Sequence, residues 1–107
     1  MPPAGADTTD DNQFVTELAD MGMNPATLHR ANIASEITLG HLICMDLGPA
    51  GGGAGAGTIA ANMQRDLPNL STQQIHYLLE AATGIYCPDL NVKMPWVCDA
   101  FPGSAAC

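Results

Sequence analysis

The sequence predicts an all-α fold, a small disulfide-stapled bundle of four helices followed by an irregular C-terminal tail. Apolar residues recur at helical spacing along four segments. The chain has 107 residues, of which 47% are hydrophobic, so a single domain with a small core is expected. Its four cysteines include no C-x-x-C pair, and an even number in so short a chain is typical of a disulfide framework formed in an oxidising compartment.

Composition divides the chain into three parts. Residues 1–8 are mostly small and lack periodicity, so we expect a flexible leader. Residues 9–90 carry the helical patterns and form the predicted domain. Residues 91–107 are broken by proline and form the predicted irregular tail, which contains two of the four cysteines.

The first helix is predicted to begin at a cap formed by Thr8 or Thr9 and to end at Gly22. Its core face is formed by Phe14, Leu18 and Met21. Pro25 then opens a short turn or helix that leads to the next element.

The most apolar helix is predicted over Ile33 to Leu47. One stripe of it contains Ile33, Ile37, Gly40, Cys44 and Leu47. We therefore expect Cys44 to point into the core and to staple this helix to another element. A mid-helix glycine costs about 1 kcal/mol relative to alanine, so Gly40 indicates that another backbone approaches the helix there.

A glycine tract follows, with five glycines between Gly51 and Gly57. It predicts a flexible loop. Gly51, Gly53 and Ala56 loosely fit G-x-G-x-x-A, but that dinucleotide motif works between a strand and a helix, and here a helix precedes it. A linker is therefore favoured over a nucleotide site.

Two more helices complete the predicted bundle. The third, short helix is marked by Ile59, Met63 and Leu67, and Pro68 ends it. The fourth begins at a capping box formed by Ser71 and Gln74. Its apolar face contains Ile75, Leu79, Ala82 and Tyr86, and we expect this face to lie against the helix of Ile33 to Leu47.

The four cysteines permit three connectivities. We favour a bond between Cys44 and Cys87, which joins two predicted helices, together with a bond between Cys98 and Cys107 that closes a small loop. A structural zinc site is disfavoured because zinc ligands are usually paired at short spacings that are missing here.

The formal net charge is −8, with three basic residues against eleven acidic ones. Such a surface is repelled by phosphate backbones and by anionic membranes, so we expect no nucleic-acid partner. No apolar run is long enough to span a bilayer, and no membrane insertion is expected. No signal peptide is visible. If the chain is exported, we therefore expect that a signal peptide preceded Met1 and was removed. We expect a monomer.

Several motifs together resemble the domain of unknown function 732 family, a family of small exported proteins of mycobacteria. The resemblance covers about residues 11 to 90. The motifs are Phe14-Val-x-x-Leu18, Met21-Gly22-Met23, Gly40-His41-Leu42-Ile43-Cys44-x-x-Leu47-Gly48, Leu70-Ser71-x-x-Gln74 and Ile85-Tyr86-Cys87-Pro88. The resemblance implies a helical, secreted or cell-wall-associated protein of unassigned activity in which Cys44 pairs with Cys87. The chain departs from the family pattern in its glycine tract and in its tail.

Three residues are candidate ligands for haem or a metal: His41, His76 and Tyr86. Histidine and tyrosine both serve as axial ligands of haem iron, but sparse histidines carry no motif, and structural roles are favoured for all three. Ser71 near His76 suggests a nucleophile, although a helix cap explains the serine better. A cysteine held in a disulfide cannot act as a nucleophile.

The sequence thus predicts an exported, non-enzymatic binding or interaction module at the cell envelope or outside the cell. No catalytic residue, cofactor or metal is predicted, and the partner is an unknown protein or a small hydrophobic ligand. The alternative is a carrier of a small hydrophobic ligand such as haem, held in a pocket between the predicted second and fourth long helices. An enzyme ranks third.

Overall fold

A computed structural model describes residues 8–48 and 53–91, and this part of the chain contains helices and no strand. The all-α, disulfide-stapled class is therefore confirmed, with one additional short helix after the four long ones. The helices are α1 (Thr8–Asp20), α2 (Ile33–Leu47), α3 (Gly53–Asp66), α4 (Thr72–Tyr86) and α5 (Pro88–Asn91). The predicted leader up to residue 7, most of the predicted tail and its bond between Cys98 and Cys107 lie outside the described residues.

Helix α4 is the centre of the bundle, because α1, α2, α3 and α5 all pack against it. Its inward face is fully buried and includes Ile75, Leu78, Leu79 and Ala82. The start of α4 is held by the predicted capping box: the Ser71 hydroxyl accepts from the Gln74 N–H, and the Gln74 side chain accepts from the Ser71 N–H. The same Gln74 amide donates to the Met21 carbonyl at the end of α1.

Helix α1 ends where Gly22 was predicted to stop it. Gly22 adopts a left-handed φ of +77°, which glycine reaches without steric cost. Its N–H donates to the Ala19 carbonyl and the Met23 N–H donates to the Leu18 carbonyl, the pair of bonds that defines a Schellman cap. Leu18 and Met23 are both buried, so the cap also closes one end of the core.

The buried face of α2 differs from the predicted stripe. Ile33 is 53% exposed, whereas Glu36 is fully buried one turn before Gly40. The face that points inward comprises Glu36, Gly40, Ile43 and Leu47. The apolar periodicity of α2 predicted that Ile33 is buried, because a periodicity argument assumes that the Glu36 carboxyl group is solvated. The rotation of α2 about its axis is set instead by the side chains that pack on Gly40. Cys44 is half-buried.

The glycine tract is helical from residue 53 onward, so the prediction of a loop through Gly57 is wrong for that part. Helix α3 begins at Gly53, and Ala56 and Ala60 are buried in the core. Alanine has the highest helix propensity, and burial of its methyl groups offsets the propensity cost of the intervening glycines. The helix ends at Asp66, two residues before the predicted stop at Pro68.

Candidate functional site

The disulfide between Cys44 and Cys87 joins α2 to the residue that follows α4. This pairing was favoured from the sequence and is confirmed. No cysteine is free among residues 8–48 and 53–91, and the Ser71 hydroxyl is used by the capping box. The side chains that sequence reasoning considered as nucleophiles therefore have structural roles.

A cluster of three polar side chains lies beside the disulfide, one from each of α1, α2 and α4. The Tyr86 hydroxyl donates a hydrogen bond of 2.7 Å to Asp11 Oδ1. His41 Nε2 lies 3.9 Å from the same oxygen, and the His41 ring lies over the Tyr86 ring with 4.0 Å between centroids. We refer to these residues as the Asp11–His41–Tyr86 cluster.

Gly40 is what allows this cluster to form. A Cβ atom at position 40 would lie 2.8 Å from Tyr86 Cε2 and 2.9 Å from two ring atoms of Phe14. The two rings pack together over the glycine, with centroids 5.4 Å apart. The close approach at Gly40 therefore involves two aromatic side chains, where the sequence had indicated a backbone.

Burial and negative charge shape the chemistry of Tyr86. Its pKa is raised above the ordinary value for tyrosine, first by burial, then by the hydrogen bond to Asp11, then by the charges of Asp11 and Asp10. The phenol is therefore protonated at physiological pH and acts as a hydrogen-bond donor. Haem ligation by Tyr86 would require loss of this proton and of this hydrogen bond, so the geometry does not favour the alternative function, a haem carrier that uses Tyr86 as a ligand.

The structure brings together two of the three candidate ligands and leaves the third apart. His41 and Tyr86 are in contact, whereas His76 lines a separate groove of about 340 Å³ between α3 and α4. Asp11 was missed because a carboxylate in the first turn of a helix is usually solvated. One signal was available: Asp11 lies three residues before Phe14, so both share the buried face of α1.

We expect opposite effects from adding a methyl group at two glycines. Gly40→Ala should lower the free energy of unfolding by about 1–2 kcal/mol, because overpacking against two rings outweighs the gain in helix propensity. Gly57→Ala should raise it by up to about 1 kcal/mol, since a Cβ at Gly57 meets no atom within 4 Å. Urea unfolding followed by circular dichroism measures both values. Equal stabilisation by the two variants would contradict the close ring contact at Gly40.

A second surface feature is an apolar groove between α2 and α3. Two adjoining concavities of about 230 Å³ each share Arg30, Leu39, Met63 and Asp66, and we call them together the α2–α3 groove. Leu42, 39% exposed, lines one of them, and Met45 is 67% exposed on the same helix. Arg30 also borders a wide, shallow concavity beside Ile33. Within the described residues Arg30 forms no salt bridge.

Glu36 carries a buried carboxyl group whose burial is not compensated by any hydrogen bond. Its side chain is fully inaccessible, and neither carboxyl oxygen has a hydrogen-bond partner. Burial raises the pKa of this carboxyl group. The residue therefore costs stability when it is ionised, and no cavity described above reaches it.

Across residues 8–48 and 53–91, no helix has the length and apolar character that crossing a membrane requires. The same residues contain no group of three or more His, Cys, Asp or Glu side chains placed to hold a metal ion. The cluster described above has two such residues, and its third member is a tyrosine.

In a comparison with known protein families, residues 9–89 match the family described as a protein of unknown function (DUF732). The matched range contains the five helices except the first residue of α1 and the last two of α5. No curated protein and no solved structure matches the chain.

Proposed function

The chain belongs to the DUF732 family, whose function is unknown, and we propose that it is an exported, non-enzymatic binding module. The observation that carries this proposal is the α2–α3 groove, which is lined by the exposed apolar side chain of Leu42. Exposed apolar side chains that adjoin a groove are typical of surfaces that bind another molecule.

The shape of the groove favours a protein partner. The groove consists of two hollows of about 230 Å³ each that are open to solvent, whereas small-molecule sites bury about 70–90% of their ligand. Such hollows suit single large apolar side chains, which commonly anchor one protein on another. We therefore propose an apolar segment of a partner protein as the occupant.

Charge around the groove favours a partner with a mostly basic surface. Asp46 and Asp66 border the apolar floor, and the whole chain carries a formal charge of −8. Complementary charge accelerates association and excludes acidic competitors. Arg30 is the exception at the rim, and it would pair with a single acidic group of the partner.

Export is supported by the disulfide. A bond between Cys44 and Cys87 persists in an oxidising compartment and is rare in the cytosol. A role without catalysis is supported by the structural use of Ser71 and of both cysteines. These observations favour a binding module in the envelope or outside the cell over an exported hydrolase.

Site-specific photo-crosslinking in the organism that produces the chain tests the proposal. A photoreactive amino acid at position 42 lies beside the groove, and the matched control at position 61 lies on α3 at the groove of His76. We expect one protein to be crosslinked from position 42 and not from position 61. Asp46→Lys should reduce that adduct at least tenfold, because Asp46 is exposed at the groove and a lysine there would repel a basic partner.

Two results would contradict the proposed function. Identical adducts from positions 42 and 61 would indicate nonspecific capture. Recovery of the position-42 adduct only from cytosolic fractions would contradict export. Circular dichroism of each variant establishes that the fold is retained.

A further inference from the structure

We infer that the partner binds the α2–α3 groove through a segment in which one side-chain carboxylate, held by Arg30, has apolar side chains on both sides. This inference rests on the proposed function and specifies the chemistry of the occupant. Arg30 lines both concavities of the groove, and it also lines the wide, shallow concavity beside Ile33. Within the part of the chain that the structure describes, the groove and the shallow concavity share no other residue. Arg30 therefore stands at the boundary between two apolar surfaces.

Arg30 places a cation without an ion-pair partner at this boundary. Among the described residues it forms no salt bridge, although Asp66 lines both concavities of the groove with it. Arg65, in contrast, donates from its guanidinium group to Asn62 Oδ1 at 3.2 Å. A guanidinium group can bind a carboxylate through two parallel hydrogen bonds. An acidic group of the partner is therefore the ligand that suits Arg30.

The surfaces beside Arg30 favour a carboxylate within the segment over one at a chain terminus. On one side lies the shallow concavity, with Pro25 and Ile33, which is 53% exposed. On the other side lie Leu39 and Met63 of the groove. A segment that ended at Arg30 would cover one of these surfaces and leave the other exposed to water. We therefore assign the carboxylate to an Asp or Glu side chain with apolar neighbours before and after it.

The charges around the two surfaces differ, and this difference orders the charges of the segment. Asp46 and Asp66 line the groove, whereas the described lining of the shallow concavity contains no charged side chain besides Arg30. Complementary charge favours basic residues opposite carboxylates. Basic residues of the segment therefore lie on the groove side of its carboxylate, and the part over the shallow concavity is uncharged.

The backbone around Arg30 is held in place before a partner binds. The Arg30 N–H donates to the Pro25 carbonyl at 2.7 Å. Two residues earlier, Leu28 is buried in the core. Two residues later, the Asn32 side chain caps α2 by accepting from the Ser35 N–H at 2.9 Å. Little backbone freedom is therefore lost on binding, which favours affinity.

A displayed library of random short peptides, selected against the full chain with its disulfide intact, tests the inference. We expect the enriched peptides to share one Asp or Glu between large apolar residues. Selection against Arg30→Met should lose this acidic preference, whereas selection against Arg65→Met should keep it. The two variants remove the same charge, and Arg65 lines neither the groove nor the shallow concavity.

A thermodynamic cycle on the tightest peptide separates direct pairing from a structural role of Arg30. Replacing the carboxylate of the peptide with the amide should weaken binding to the native chain by about tenfold or more. The same replacement should change binding to Arg30→Met little, because the cation that pairs with the carboxylate is then missing. Titration calorimetry measures the four affinities, and circular dichroism establishes that each variant is folded.

Enriched peptides that lack an acidic residue, or no enrichment at all, would overturn the inference. So would an amide replacement that weakens binding equally in the native and Arg30→Met chains. The proposed function is tested separately by the crosslink from position 42. An adduct that forms equally well in the Arg30→Met chain would overturn this inference and leave the proposed function intact, whereas the absence of an adduct in the native chain would contradict the proposed function itself.

Discussion

Replacing both Cys44 and Cys87 with serine should lower the melting temperature by well over 10 °C. The bond closes a loop with a sequence separation of 43 residues, and constraint of the unfolded chain by such a loop is worth about 4 kcal/mol. In a domain of this size each kcal/mol corresponds to about 4–8 °C. Thermal unfolding followed by circular dichroism measures the shift.

The double variant is preferred because it leaves no unpaired thiol at either position. Thr38→Ser, an exposed substitution on α2, is the control and should unfold at the native temperature. An unchanged melting temperature in the double variant would mean that packing alone fixes α2 against the end of α4.

Removing the carboxyl group of Glu36 should stabilise the protein at neutral pH. Glu36→Leu should raise the free energy of unfolding by about 1–3 kcal/mol, the usual cost of a buried polar group without a partner. The side chain is fully buried and neither of its oxygens has a hydrogen-bond partner. Chemical unfolding at pH 7 measures the gain.

The direction of the pH dependence follows from the raised pKa of Glu36. Between the unfolded and the folded pKa, the native state binds more protons than the unfolded state, so this residue's contribution to stability falls as pH rises. Below the unfolded pKa the penalty is absent, and above the folded pKa it is complete. The advantage of Glu36→Leu should therefore grow from pH 4 to pH 7.

Asp46 lies exposed on the same helix and supplies the control. Asp46→Asn should change stability little at either pH. A Glu36→Leu variant that is less stable than the native chain at pH 7 would show that the carboxyl group has a compensating partner in solution.

Much of the fold was predictable because its signals are local. The Ser71 and Gln74 capping box and the stop at Gly22 are set by residues within one turn of each other. Each predicted boundary at these points agrees with the structure. The pairing of Cys44 with Cys87 followed from the arrangement of helices together with the family resemblance.

The remaining features depend on contacts between distant segments. Burial of Glu36 and the ring contacts at Gly40 are decided by how α1 and α4 approach α2, which periodicity within α2 does not encode. The helical state of the glycine tract depends on the burial of Ala56 against the core. Helix propensity predicted a loop there because it reflects the glycine content of the tract and not the contact of Ala56 with the core.

The candidate site was predictable only in part, because it also depends on contacts between distant segments. His41 and Tyr86 were selected as chemically capable residues, and they meet in the structure. Asp11 joins them from α1 through a contact between residues 75 positions apart. His76 was selected on residue type alone, and the fold places it in another groove.

Helix α3 is attached to the rest of the bundle more weakly than α1 and α2 are, and this difference affects how the bundle moves. Helix α4 is tied to α1 by Gln74 near its start and to α2 by the disulfide at its end. From Ala56 onward, the buried apolar residues of α3 are two alanines, Ala56 and Ala60, and small side chains contribute less burial free energy than large ones. Local opening should therefore begin at α3. The α2–α3 groove then has one rigid wall and one compliant wall, and it can widen around an occupant while the other three long helices stay in place.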